Sequence, residues 1–203
     1  MQQCKWQIMG NGIFSGGKYR IAPGNEWVEF TSIQQFYKEL LQRTGVKLRK
    51  SEKFFRIGKQ SAMTISAALL VLEQLGVHGQ IDFDTTAILG YGNAGSHHGN
   101  LAYWQDYTAN GKAAAQGHLF VGTLASTPLC QLALTLGCHA PVYYVSSAAG
   151  TGIAPEELEF IHGECKHVFL IKSEEDFCSC VLLRAAQNGV ETEKIVEMLE
   201  NMR

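Results

Sequence analysis

Apolar positions recur along the chain with two periods, and the alternation between them marks out the elements. Residues 6–9 form a short apolar run that reads as a strand entering a glycine-rich turn over 10–17. Phe36, Tyr37, Leu40 and Leu41 stand at helical spacing and predict a helix over 34–43. Ala62, Ile65, Leu69, Leu72 and Leu75 make one stripe of a longer helix over 57–75, with Gly76 as its stop. A strand follows at 86–89. Residues 101–110 read as an amphipathic helix carrying Tyr103, Trp104 and Tyr107, and 119–136 as one apolar helix ended by Gly137. Val142–Val145 is a short buried strand. Pro155, then Glu156 and Glu157, opens a helix over 155–162, because proline suits the first helical position and acids suit the first turn. Strands at 168–171 and 176–184 lie close enough in sequence to be antiparallel neighbours, and a charged amphipathic helix over about 191–202 closes the chain. Five strands interleaved with helices predict an α/β fold, with residues 1–203 as one domain.

The strand Val142–Val145 runs directly into very small residues: Ser146, Ser147, Ala148, Ala149, Gly150. Small residues after a buried strand let a backbone or a ligand approach closely. This stretch, with Pro141 before the strand, resembles the β-ketoacyl synthases of the thiolase-like fold, which condense acyl chains on carrier proteins. Their signature here is a Gly-Pro, an apolar strand, Ser-x-Ala-Cys and small residues. Ala149 falls where the nucleophilic cysteine belongs. The resemblance extends to the opening strand with its glycine-rich turn and to the basic segment leading into an alanine-rich helix. It covers most of the chain but only the N-terminal half of the family's length, and implies a thiolase-like half: a mixed five-stranded sheet covered by helices.

Composition narrows the class. The 203 residues are 46% hydrophobic with 21 glycines and 4 prolines, as in an ordered α/β protein. A formal charge of −2 without a dense basic cluster excludes a nucleic-acid footprint. No apolar run approaches a membrane span and the N-terminus lacks the apolar core of a signal peptide, so a cytoplasmic protein is expected. Cys4, Cys130, Cys138, Cys165, Cys178 and Cys180 form no Cys-x-x-Cys pair and read as reduced packing residues. Cys178 and Cys180 share one face of a strand.

Two motifs invite a ligand and are set aside. Gly90-Tyr91-Gly92-Asn93-Ala94-Gly95 matches the dinucleotide fingerprint, but it follows the second strand and the acidic residue expected on the next strand is absent. His97 and His98 are adjacent, with no carboxylate or cysteine at ligand spacing, so a loop without metal is expected. No cofactor is implied.

The resemblance decides the functional expectation. Condensation needs a thiolate at the start of a helix, whose dipole lowers its pKa. Here position 149 is alanine, Pro155 delays the helix, and the family's catalytic histidine pair belongs to its C-terminal half. Ser146 and Ser147 would need a base, and none of His118, His139, His162 or His167 can be assigned that role. The resemblance therefore implies a non-condensing protein in fatty-acid or polyketide-type lipid assembly, a partner subunit of a true synthase or an acyl carrier protein. The alternative is an acyl-thioester-binding or hydrolysing protein using the pocket of Ser146, Ser147, Ala148, Ala149 and Gly150. The family's dimers join along the strand matched by Val142, Tyr143, Tyr144 and Val145, which implies a homodimer or a heterodimer with a full-length ketosynthase.

Overall fold

The computed structural model describes residues 4–21, 24, 26–44, 58–76, 81–92, 96–112, 114, 116–146, 153–174 and 176–201. The chain opens with β1 (Lys5–Ser15), 11 residues long and far beyond the expected 6–9. Gly10 and Gly12 lie inside this strand rather than in a turn. A side chain at Gly10 would meet the Gln74 amide oxygen at 2.7 Å, and one at Gly12 the Ala67 carbonyl at 3.1 Å, so both glycines let a helix lie close on the strand. The turn comes later, at Gly16 and Gly17, with φ of 55° and 82°. Two successive positive φ values suit a tight hairpin, which leads into β2 (Lys18–Ile21) and then β3 (Val28–Glu29).

Helices α1 (Ile33–Thr44) and α2 (Lys59–Leu75) follow, and Gly76 caps α2 at φ 59°. Residues 61–72 of α2 are buried without a break, so the single expected stripe becomes an all-round core helix. The sheet covers one side, while α1 and α5 cover the others. The bidentate pairing of Arg43 with Glu73, at 2.6 and 3.4 Å, ties α1 to α2.

A 3-10 turn leads into β4 (Thr86–Tyr91), followed by α3 (His97–Asn110), α4 (Gly117–Val121), α5 (Thr127–Leu136) and β5 (Val142–Val145). Two expectations are corrected here. His97 and His98 stand in the first turn of α3, not in a loop. The apolar helix expected over 119–136 is two helices, because Gly122 and the following turn break it and Pro128 restarts it at α5. The remainder is α6 (Pro155–Glu164), β6 (His167–Ser173), β7 (Phe177–Ala186), β8 (Val190–Glu191) and α7 (Thr192–Glu200).

The strands form one mixed sheet in the order β3-β2-β1-β7-β6-β4-β5, with β8 on the start of β1. The five expected strands make its body: β4 pairs parallel with β5 and β6, and β7 pairs antiparallel with β6 and β1. β4 is buried throughout, as befits a strand covered on both faces. One core joins the sheet to α1, α2 and α5 and includes Leu69, Ile88, Leu129, Phe169, Cys178 and Cys180. The second joins the opposite face to α6 and α7 through Leu89, Leu158, Ile161, Val181 and Ile195. Cys178 and Cys180 share a face as expected, and no helix among the described residues is long and apolar enough to cross a membrane.

Candidate functional site: the C-terminal ends of β4 and β5

Parallel pairing brings the C-terminal ends of β4 and β5 together, with Tyr91 in register with Val145. At such an end loops converge, and ligands of open α/β sheets bind there. Gly90 sits against α5: a side chain at this position would meet the Leu129 methyls at 2.5 and 2.9 Å. Gly92 has φ 146°, a conformation that favours glycine, and its carbonyl accepts a 3.2 Å hydrogen bond from the Tyr144 hydroxyl. Two glycines of the apparent dinucleotide fingerprint thus have packing and backbone roles. Tyr91 is the buried last residue of β4, and Asn93, Ala94 and Gly95 lie outside the described residues.

Ser146 is exposed just past β5. Ser147, Ala148, Ala149 and Gly150, the other members of the expected acyl pocket, lie outside the described residues. The next element is described: α6 begins at Pro155, six positions beyond 149, and the Glu157 carboxylate accepts the Ala154 N–H at 2.9 Å. One of the donors at the positive end of α6 is thereby occupied by the helix's own side chain.

His139, His162 and His167 stand away from Ser146, and the Cys138 and Cys178 thiols are held protonated. The parallel register places His167 beside Thr86, at the opposite end of the sheet from Ser146. His139 precedes β5 and pairs at 2.7 Å with Asp84, also at that far end. His162 rests edge-on against Trp6 and its Nε2 meets the Lys5 carbonyl at 3.1 Å. Burial pushes the Cys138 thiol up to about 12, helped by the Asp84 charge. Burial likewise raises Cys178 to about 12, against hydrogen bonds with Thr64 and Ser173 that pull it down. Such thiols hold almost no thiolate near neutral pH.

The strand order in the sheet puts β5 at its margin, where β4 is its only neighbour among the described strands. Val142 and Tyr144 face the α5 core, while Tyr143 is exposed and meets Phe160 of α6 ring to ring at 6.5 Å. Phe160 is itself 62% exposed. Helix α6 is amphipathic as expected, with Leu158 and Ile161 buried and Glu156 and Glu159 outward.

No protein-family model and no curated protein matches the chain. Solved structures do. The ketosynthase (ApeO) in complex with its chain length factor (ApeC) from Xenorhabdus doucetiae matches at TM-score 0.56 and 13% identity, over 90% of this chain and 79% of that one. The ishigamide ketosynthase/chain length factor matches at TM-score 0.59 and 10% identity, over 92% of this chain. The AntDE:AntF type II PKS acyl-carrier protein in complex with its ketosynthase, bound to the hexaketide, matches at TM-score 0.59 and 12% identity, also over 92%. The fold is the thiolase-like fold of the ketosynthases. The chain spans 64%, under two thirds, of the length of each of the last two.

Proposed function

We propose that this protein is a non-condensing, ketosynthase-like subunit that works by pairing with a true ketosynthase in fatty-acid or polyketide-type assembly. The observation that carries the reading is a ketosynthase-type fold with alanine at position 149, where the resemblance puts the nucleophile. The two thiols raised to about 12 and the placement of His139 and His167 at the far end of the sheet support it, because these groups do not substitute for a cysteine at position 149. One matched structure is of a ketosynthase with its chain length factor, and another includes an acyl-carrier protein, so a ketosynthase and its carrier protein are the partners to test.

The pairing edge is Val142, Tyr143, Tyr144 and Val145. An edge strand of this composition offers backbone groups beside β-prone apolar side chains, and natural proteins cover such edges. The chain should co-purify with a full-length ketosynthase from its own organism when the two are co-expressed. Carrier-protein-bound acyl and malonyl substrates should then give a ketoacyl product from the pair and none from the chain alone. Product from the chain alone, or a ketosynthase whose activity and product length ignore its presence, would overturn the reading.

A further inference from the structure

Four buried side-chain polar atoms have no hydrogen-bond partner among the described residues: Trp6 Nε1, Ser66 Oγ, Tyr91 Oη and His167 Nδ1. Burying a polar group without a partner is unfavourable, so each orphan needs a physical reason. Trp6 and His167 stand near the starts of β1 and β6, and Ser66 lies within α2. Tyr91 alone stands at the C-terminal ends of the parallel strands, where open sheets take their ligands.

Tyr91 is 3% exposed and packs into the core shared with α6 and α7. Its register places it in one row across the five-strand body: Val145 of β5, Tyr91 of β4, Lys172 of β6, Ser179 of β7 and Ile13 of β1. Residues opposite one another in register share a face of the sheet. The row is therefore apolar at both ends and polar over three consecutive strands. Ser179 is buried, while Lys172 keeps 17% of its side chain exposed and is the one of the three that reaches water. The Lys172 ammonium lies 3.7 Å from the Glu174 carboxylate and 6.0 Å from the Phe177 ring centre. Burial pushes the Tyr91 phenol well above its ordinary range, against the pull of the neighbouring Ser179 hydroxyl, so near neutral pH it is a neutral donor. Ser179 does not meet it at hydrogen-bonding geometry.

We propose that the row of Tyr91, Lys172 and Ser179 is a binding site for a small organic carboxylate, with the orphaned Tyr91 hydroxyl as a donor to it. The site is independent of the subunit function proposed above. A phenol, an ammonium and a hydroxyl can all donate, so together they call for an acceptor. The ammonium selects an anion over a neutral carbonyl, because charge-assisted hydrogen bonds are roughly twice as strong as neutral ones. Glu174 beside Lys172 disfavours the double charge of a phosphate and tolerates the single charge of a carboxylate. Val145 and Ile13 at the two ends of the row suit a short hydrocarbon body.

The test uses the full chain with sodium butyrate as probe, against butyramide, phosphate and chloride at matched ionic strength. Butyrate at several times its dissociation constant should raise the thermal midpoint by about 2–4 °C, and the other three should not. Tyr91→Phe removes the orphaned hydroxyl, so its ligand-free midpoint should hold or rise while the butyrate shift disappears. Lys172→Met should weaken butyrate binding at least about tenfold by calorimetry, and Lys172→Arg should keep most of the affinity. A lower ligand-free midpoint for Tyr91→Phe would mean that the hydroxyl serves the fold alone, and would overturn the site. So would a full butyrate shift in Tyr91→Phe, or an equal shift from butyramide, phosphate or chloride. No shift of the wild-type chain with acetate, butyrate or benzoate would overturn it as well.

Discussion

Gly90 illustrates how one missing side chain lets α5 settle on the sheet. The strand around it is buried on both faces, and a methyl group added at this position would run into Leu129, itself buried. The same glycine opens a fingerprint that in other folds holds a pyrophosphate, yet here its immediate neighbour is a leucine. Gly90→Ala should therefore destabilise the protein by about 1–3 kcal/mol through overpacking. Urea unfolding would show this as a lower midpoint with an unchanged slope. An unaltered midpoint would mean that Leu129 has room to move aside.

At the scale of elements, α6 begins well after the position to which the resemblance assigns the nucleophile. The strand ends at Val145 and the helix starts at Pro155, so residue 149 is six positions short of the helix. The dipole effect fades within the first turn of a helix. The N-cap Ala154 N–H of α6 is already bonded to Glu157, and the resemblance implies that condensation also needs a histidine pair from the family's C-terminal half. Ala149→Cys alone is accordingly expected to give no condensing activity. Incubation with labelled acyl and malonyl carrier-protein substrates checks this; ketoacyl product above the wild-type background would count against it. The helix pattern of α6 itself was legible: Pro155 and the acids set its start, and Leu158 and Ile161 its buried side.

For the molecule as a whole, His167 links stability to pH. It begins β6, is buried, and its Nδ1 has no partner among the described residues. Burial lowers its pKa first, with the Arg184 and Lys166 charges adding to the effect and Asp82 opposing it. The folded state thus prefers the neutral ring, and the unfolded chain binds the extra proton. Stability from this site is complete above the unfolded value of about 6.5 and falls as pH drops through it towards the lowered folded value. Urea midpoints measured from pH 7.5 down to 5 should decline, and His167→Gln should flatten that decline. Equal slopes for the two proteins would rule His167 out as the cause.

Local pattern alone determined the five-strand body and the helices α1, α2, α6 and α7 within a few residues. These rest on short-range physics: hydrophobic period, glycine and proline punctuation, and the residue types that chemistry requires. What local pattern misplaced depended on contacts distant in sequence. Gly10 and Gly12 read as a turn because glycine is ambiguous until α2 is laid across them. The leucines of 119–136 read as one helix because an apolar period does not reveal that Gly122 must yield to Gly99 of α3. The two-residue strands β3 and β8 exist only through their partners β2 and β1. Helix α3 had the look of an amphipathic helix, and only the tertiary structure decided that none of its described side chains is buried. A side chain's period says that it seeks burial; which surface buries it is set by the arrangement of the whole chain.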